Sequence, residues 1–407
     1  MRSPTEVLRS FGRGYVAAFR GIPRRVWLLC AVFFVNRAGT MVMPFLALYV
    51  VLEKGMTESQ AASILAAFGL GSVVGSMSGG RLTRALSPIA VQKLTLLLAG
   101  GCFLLLTQLE TFVSLALGVF ATSLSADAFR PAAMAAVSEA APPERRTRSL
   151  ALVRLAVNLG QTVGPAAGGL LAAVDYRWLF VADGGTCWLA AGLLFLLLPA
   201  SKERMERVAR PEGASVAAVG PPALRDRPFL AFMVVCFLVA CIFFQLMGVY
   251  PLYLHEECGL PESLIGLLLG FNALMVVLLE MPLVHFLENR PLVRIFGRGA
   301  IFLGLGFGLL PLHCSLPFLV FTVLLWTLGE MVTLPFSNAL VAQRAGEGRT
   351  GEYMGLYTAM FSVALLVAPP TGLWFYGRFG AVALWTMVGA LGPICWLLCR
   401  WLEPRFR

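Results

Sequence analysis

Residues 228–254 read PFLAFMVVCFLVACIFFQLMGVYPLYL and carry no charged side chain. An α-helix rises about 1.5 Å per residue, so about 20 apolar residues cross the roughly 30 Å hydrocarbon core of a bilayer. The run is continuously apolar and does not alternate with polar residues, as a strand of a membrane β-barrel does. This segment therefore predicts a transmembrane helix.

The rest of the chain has the same character. Of its 407 residues, 58% are hydrophobic and 13% are charged, and the mean hydropathy is +0.80. Soluble domains are about 45–50% apolar and about 25% charged, so the composition excludes a soluble protein. We predict an all-α membrane protein with twelve transmembrane helices, at residues 27–51, 60–82, 89–109, 112–139, 149–173, 178–199, 228–254, 262–286, 292–312, 317–343, 351–376 and 380–401.

The positions of the basic residues predict the orientation. The net charge is +10, and 26 of the 32 Lys and Arg residues lie in the termini or in the loops that share a side with them. This positive-inside pattern predicts a multi-pass protein of the inner (plasma) membrane with both termini in the cytoplasm. The basic charge is explained by topology and by membrane lipids, so we expect no nucleic-acid partner.

The sequence contains an internal repeat, so its two halves resemble each other. A polar segment, 201–227, separates six predicted spans from six others, and a shift of 204 positions superposes prolines and glycines of the two halves: Pro131 on Pro335, Pro165 on Pro369 and Gly168 on Gly372. Parallel repeats of this kind are typical of transporters that rock two bundles about a central site. We predict a basic segment 1–26, a bundle 27–200, a cytoplasmic linker 201–227, a second bundle 228–401 and a tail 402–407.

A glycine pattern lies in the fifth predicted span, where residues 160–169 read GQTVGPAAGG. Small residues four apart let helices approach closely, and a proline bends the helix locally. The stretch resembles the G-x-x-x-G-P-x-x-G-G signature of drug:proton antiporters in the major facilitator superfamily. The resemblance assigns motif or gating roles to Gly160, Gly164, Pro165, Gly168 and Gly169, and to Arg154 and Asn158 upstream.

Other segments carry the same resemblance. The string Asn36-Arg37-Ala38-Gly39 and residues 130–160 are similar to bacterial members of the drug-efflux branch. The resemblance implies the twelve-helix major facilitator fold in a monomer, with spans one, four, seven and ten lining a central cavity. One loop departs from the superfamily pattern, because Arg84 (or Thr83, with a one-residue slip) stands where an acidic residue is usual. Whether the chain couples transport to protons in the way usual for the superfamily therefore stays open.

Two acids are expected to face this cavity. Asp127 and Glu330 lie near the centres of the fourth and tenth spans, at nearly equivalent positions of the repeat. A charge inside the hydrocarbon costs about 2.5–3.5 kcal/mol or more, so such residues usually serve a function. Glu330 is the better candidate for proton binding, with a hydrogen-bonded structural acid as the alternative. Asp127 has Arg130 three residues later, and a structural ion pair is equally compatible with that spacing.

The remaining candidates are basic or uncharged. Arg37 and its uncharged neighbour Asn36 are candidate coupling or substrate-binding residues, and Arg37 is expected either to pair with Asp127 or to hold an anionic group of the substrate. Arg154 is expected to be a gate or an anchor, and Glu280 to pair with Arg294 or Arg298 after the eighth span. Uncharged residues that could line the cavity or equally bridge helices are Gln245, Asn272, Asn158 and Gln161.

Enzymatic chemistry has little support. The three histidines share no metal-ligand spacing, and no nucleophile or nucleotide-binding motif stands in its required context. We expect no catalytic residue, no metal and no cofactor. The nine cysteines are interpreted as small packing residues. Cys258 and Cys314 lie near the outer face of the same half; free thiols are favoured there, although their pairing stays open.

These observations predict a secondary transporter. The leading hypothesis is proton-coupled export of a lipophilic or cationic small molecule, with Glu330 as the coupling residue. The first alternative is a facilitator or exporter of an amphiphilic or anionic metabolite that uses Arg37 and Arg130. The second alternative is a transport-inactive receptor or assembly partner. The expected partners are a small-molecule substrate, protons and membrane lipids.

Overall fold

The computed structural model describes residues 21–142, 145–198, 222–287, 290–345 and 349–406, and every regular element in these ranges is a helix. The first bundle contains α1 (Arg24–Ala38), α2 (Val42–Leu48), α3 (Glu58–Ala85), α4 (Pro88–Leu106), α5 (Phe112–Ala140), α6 (Arg146–Ala172) and α7 (Arg177–Leu197). The second contains α8 (Arg227–Phe243), α9 (Val249–Glu256), α10 (Glu262–Leu287), α11 (Leu292–Gly308), α12 (Leu316–Ala345) and α13 (Thr350–Leu402). Most of the predicted basic segment and linker lies outside the described residues.

Twelve helical segments correspond to the predicted spans. In the described part of the chain, ten helices are long and apolar enough to cross a membrane. One of the ten, Glu352–Phe406, contains two of the predicted spans, because the backbone is non-helical at Gly380 (φ 80°, ψ 173°). The twelfth segment is α6, whose 27 residues are sufficient in length although its first turns carry several arginines.

The first and seventh spans are each broken at equivalent positions. The first is divided between α1 and α2 at residues 39–41, and the seventh has a 3₁₀ turn, Phe244–Met247, between α8 and α9. Gly168 packs against Met41, and Gly372 packs against Gln245. Both pairs are related by the shift of 204 residues, so the repeat seen in the sequence is also a repeat of contacts.

Turn residues recur at the same offset. Gly55 and Gly259 have φ values of 62° and 64°, a left-handed conformation that glycine adopts without steric cost. Each glycine lies three residues before the helix that forms the second span of its bundle, α3 or α10. On α3, Thr57 caps the first turn by accepting a hydrogen bond from the Gln60 backbone N–H.

A disulfide joins Cys258 and Cys314, whose Cα atoms are 5.1 Å apart. The expectation of free thiols at these two positions is therefore wrong. The connections α9–α10 and α11–α12 are 56 residues apart in sequence but meet at one end of the second bundle. Sequence spacing could not reveal this proximity, because it depends on how the helices are arranged.

Candidate functional site: a cavity between the two bundles

A cavity of about 300 Å³ lies between the bundles, with walls from both of them. Its lining is mainly apolar, with a few polar groups. The lining residues are Thr40, Met43, Pro44, Arg154, Asn158, Gln161 and Pro165 from the first bundle, and Phe243, Leu246, Met247, Leu269, Asn272, Ala273, Val276, Glu280, Glu330 and Leu334 from the second. A concave, apolar site with few polar groups is the usual form of a small-molecule binding site.

Glu330 is one of two acids in the cavity wall, and the other, Glu280, is paired with Arg154. The Asn272 Nδ2 donates hydrogen bonds to Glu330 Oε2 at 2.8 Å and to Thr327 Oγ1 at 3.0 Å. Among the described residues, Glu330 makes no ion pair. A carboxyl group held by a single neutral donor can bind a proton or a cationic ligand, but it is not already neutralised by a protein charge.

Asp127 is not part of this wall. It lies on α5, half-buried, while Arg37 lies on α1 and Arg130 is exposed. The described residues show no ion pair between Asp127 and either arginine. The structure therefore does not bring the two predicted acids together at one cavity, and it forms neither of the predicted Asp127 pairs.

Arg154 and Glu280 form an ion pair across the two bundles, from α6 to α10. The side chain of Arg154 is 53% exposed and that of Glu280 is 9% exposed. The expected partner of Glu280 was a basic residue after the eighth span, and this expectation is wrong for Arg294, which pairs with Glu403. The pair lies at the end of the cavity towards the predicted cytoplasmic side.

The glycines of the motif lie on two faces of α6, and each face packs closely against another helix. A Cβ on Gly160 would lie 2.6 Å from Arg37 Cβ, and one on Gly168 would lie 3.0 Å from Met41 Cβ. Gly164 faces the backbone carbonyls of the same break in the first span. Gly169 faces the other bundle, where its Cβ would lie 2.8 Å from Gly266 Cα on α10. The pattern thus lets α6 contact the first span within one bundle and α10 across the interface.

Further contacts close the interface on the predicted outer side. Tyr176 Oη donates to Glu262 Oε1 at 2.8 Å, from one bundle to the other. A Cβ on Gly377 of α13 would lie 3.1 Å from Glu58 Cβ on α3. These contacts and the Gly169–Gly266 approach cluster at the outer ends of the helices, so they separate the cavity from that side.

Two of the uncharged candidates bridge helices instead of lining the cavity. Gln245 Nε2 donates to the Ala368 carbonyl at 3.0 Å, which links the break in the seventh span to α13. Asn36 Nδ2 contacts Cys187 Sγ on α7 at 3.9 Å. Asn158, Asn272 and the predicted alternative Gln161 do line the cavity.

Asp183 was not among the predicted site residues. It lies on α7, is 2% exposed, and accepts hydrogen bonds from the backbone N–H groups of Met41 at 3.0 Å and Val42 at 3.1 Å. An acid within an otherwise apolar span is a visible sequence signal. Its partners could not be predicted, because they are backbone groups of a helix break about 140 residues away.

Metal binding has no evident site here. The described residues contain no group of three or more His, Cys, Asp or Glu side chains able to hold a metal ion.

Comparison with known proteins identifies the family-level relationships. Residues 28–369 match the family model described as Major Facilitator Superfamily. A Na⁺, Li⁺, K⁺/H⁺ antiporter of Planococcus maritimus is 25% identical over 393 residues, which cover 88% of this chain and 89% of the relative. The multidrug resistance protein MdtH of Aeromonas salmonicida is 24% identical over 326 residues, which cover 77% and 78%.

Solved structures share the fold. A POT family transporter in complex with 5-aminolevulinic acid superposes with a TM-score of 0.79 at 16% identity, over 95% of this chain and 98% of that one. The nucleoside transporter NupG superposes with a TM-score of 0.79 at 9% identity, over 93% and 99%. The predicted fold class, two pseudo-symmetric six-helix bundles, is confirmed.

Proposed function

The chain belongs to the Major Facilitator Superfamily, and from this premise we propose that it exports a lipophilic, cationic small molecule in exchange for protons. The observation that carries the proposal is Glu330, an acid without a described ion-pair partner in the apolar wall of a cavity between two bundles. A proton and a cationic substrate compete for this one carboxylate.

The cavity wall supports the substrate class. Apolar side chains from both bundles would bury the hydrophobic part of a ligand at about 25 cal/mol per Å², and Met43 and Met247 can adapt to ligands of different shape. The one arginine of the wall, Arg154, is already paired with Glu280. The alternative of an anionic substrate depends on Arg37 and Arg130, which lie outside the wall, so we favour a cation.

Transport of the substrate is coupled to transport of protons because Glu330 binds either a proton or the substrate cation, but not both at once. In the state open to the cytoplasm, the substrate cation displaces the proton. After the bundles rock, a proton from the outer side displaces the substrate. A ligand shifts a conformational equilibrium only through its differential affinity for the two states. In this proposal, the two states differ in the contacts between the bundles at their outer and cytoplasmic ends.

A second candidate, exchange of a monovalent metal cation for protons, is favoured by one observation. The Planococcus maritimus relative, which covers 88% of this chain, carries the name of such an antiporter. The MdtH relative carries the name of a multidrug resistance protein and favours the first candidate. Both candidates use an acid that exchanges a proton for a cation.

The test is transport by the purified protein in liposomes under an imposed pH gradient, with ethidium as the lipophilic cation and Na⁺ or K⁺ as the metal cations. We expect gradient-driven ethidium transport that is lost in Glu330→Gln. Glu110→Gln, a change of an exposed carboxyl in the α4–α5 connection, is the control and keeps it. Equal ethidium rates with and without the gradient would refute proton antiport. Gradient-driven movement of Na⁺ or K⁺ alone would select the second candidate.

A further inference from the structure

The break in the first span is held from two sides. On one side, Gly164 and Gly168 of α6 pack against its backbone, and on the other Thr186 of α7 packs against Gly39. Asp183, one turn before Thr186, accepts the N–H groups of Met41 and Val42 at the start of α2. The break is therefore fixed by close packing and by one buried carboxyl group.

The same segment forms part of the cavity wall. Thr40, Met43 and Pro44 line the cavity, and Met41 and Val42 between them are the residues whose N–H groups bind Asp183. A change in these hydrogen bonds would move wall residues directly before and after them. Asp183 itself does not line the cavity, so it would act on the substrate through this segment.

The two halves differ at this point. In the second bundle, the equivalent break is held by the neutral amide of Gln245, which donates to the Ala368 carbonyl at 3.0 Å. The position equivalent to Asp183 after the shift of 204 is Met387, which cannot ionise. An ionisable group therefore holds the break in the first bundle alone.

Asp183 has no described counter-charge. Among the described residues, it forms no ion pair. The described titratable side chains on its own helix and on the elements packed against it are Arg177 and Cys187 on α7, Arg24, Arg25, Cys30 and Arg37 on α1, Tyr49 after α2, Lys93 and Cys102 on α4, and Arg148 and Arg154 on α6. Lys93 is bound to the Leu198 carbonyl, and Arg154 to Glu280. The partners of the carboxyl group are thus backbone N–H donors.

We propose that Asp183 is a second proton-binding group and a positioning residue of the cavity: its carboxylate fixes the break in the first span, and a bound proton loosens that break and reshapes the wall at Thr40, Met43 and Pro44. The ionised group accepts hydrogen bonds through both oxygens, from Met41 to Oδ1 and from Val42 to Oδ2. Protonation turns one oxygen into a donor, and that oxygen no longer accepts a hydrogen bond from the backbone N–H that faces it. This inference rests on the proposed cation–proton exchange.

The experiment measures the affinity of the purified protein for ethidium as a function of pH and, for variants that transport, KM and kcat in liposomes. We expect two proton-linked steps in the wild-type affinity, one of which remains in the affinity of Glu330→Gln. Asp183→Asn, which keeps the shape but cannot ionise, removes the other step and raises KM about tenfold at high pH with kcat largely kept, since bonds to a charged group are the stronger ones. Asp183→Glu restores a pH-dependent step.

The outcomes separate this inference from the proposed function. If Glu330→Gln, with Asp183 intact, binds ethidium without any remaining pH dependence, Asp183 is not a proton-binding group, although the Glu330 proposal stands. If Glu330→Gln keeps full coupling, the Glu330 proposal fails. Unchanged KM and pH profile in Asp183→Asn also overturn the inference. The Glu330→Gln measurement remains decisive even where Asp183→Asn does not fold.

Discussion

At the scale of single residues, Asn272 determines what Glu330 can do. Its amide Nδ2 donates one hydrogen bond to Thr327 Oγ1 at 3.0 Å and one to Glu330 Oε2 at 2.8 Å. The carboxyl group is therefore held on the cavity side of α12 by a neutral donor from α10. A cation in this position would have neutralised Glu330 and removed its attraction for the proposed cationic substrate.

Replacing Asn272 with leucine, which has a similar volume and no donor, is expected to raise the ethidium KM about tenfold, because a hydrogen bond to a charged group contributes about 1.5–3 kcal/mol. The measurement is ethidium transport in liposomes at fixed pH. Thr327→Val is the matched control: it removes only the neutral acceptor and changes KM by less than about threefold. Equal effects of the two variants would contradict the role given to Asn272.

Asp226 is a buried acid outside the membrane-spanning segments, and its charge contributes to stability. Burial alone would raise its pKa, but hydrogen bonds from Arg344, the Phe229 N–H and Tyr353 outweigh burial and hold the pKa of this carboxyl below its ordinary value of 3.8. The carboxyl group of Asp226 precedes α8, Arg344 ends α12 and Tyr353 lies in α13. The cluster thus joins three helices at one end of the second bundle.

Because the folded-state pKa is lowered, the stabilising contribution of Asp226 is complete above its unfolded value and is lost as the pH falls through the folded value. Thermal unfolding in detergent should show this loss below about pH 4. Asp226→Asn should lower stability by about 3 kcal/mol at pH 7, since it leaves a partly buried arginine unpaired, and should remove the acid-dependent step. Glu352→Gln, which alters the more exposed pair with Arg349, should change stability by less than about 1 kcal/mol.

At the scale of elements, α6 belongs to the first bundle but packs against helices of both bundles. Its small residues let it approach the first span on one face and α10 on the other, where Gly169 and Gly266 bring the two backbones together. Larger side chains here would separate the bundles on the predicted outer side. The antiporter-like pattern is thus explained by two packing interfaces on a single helix.

Gly169→Ala should slow ethidium transport at least about tenfold, because its Cβ would lie 2.8 Å from Gly266 Cα, and backbone cannot move aside as a flexible side chain can. Gly192→Ala on α7 is the control: its Cβ meets open space, so this change should keep transport and stabilise the helix by about 0.5–1 kcal/mol. Transport and thermal unfolding of both variants test the interface. Wild-type transport by Gly169→Ala would contradict it.

At the scale of the whole molecule, the bundles contact each other on both sides of the cavity. On the predicted outer side are the Gly169–Gly266 and Gly377–Glu58 approaches and the Tyr176–Glu262 hydrogen bond, and towards the predicted cytoplasmic side is the Arg154–Glu280 ion pair. Alternating access must exchange the outer contacts for others. Their strength therefore biases the equilibrium between the two open states.

Tyr176→Phe should shift this equilibrium towards the outward-open state by about 2- to 10-fold, the effect of losing one hydrogen bond. Tyr376→Phe is the matched control, since Tyr376 Oη donates to Glu256 at 2.9 Å within one bundle. Distances between spin labels on the outer ends of α6 and α10 would measure the populations. A shift of the same size in both variants would show that Tyr176–Glu262 is not specific to bundle opening.

The sequence by itself determined the features that depend on composition and local order. Long apolar runs require membrane helices, the shift of 204 residues requires two similar bundles, and the glycine pattern requires close helix packing. The acid at position 330 and the amide at position 272 could be singled out because a polar group in hydrocarbon is costly wherever the helix faces.

Only the tertiary structure decided which of these groups meet. Glu330 lies with Asn272 and not with Asp127, Glu280 pairs with Arg154, Asp183 binds the break in the first span, and Cys258 reaches Cys314. Each contact joins residues far apart in the chain, and it depends on the rotation of one helix about its axis and on its neighbour. Apolar periodicity in a membrane helix constrains that rotation weakly, because lipid and protein interior are similarly apolar.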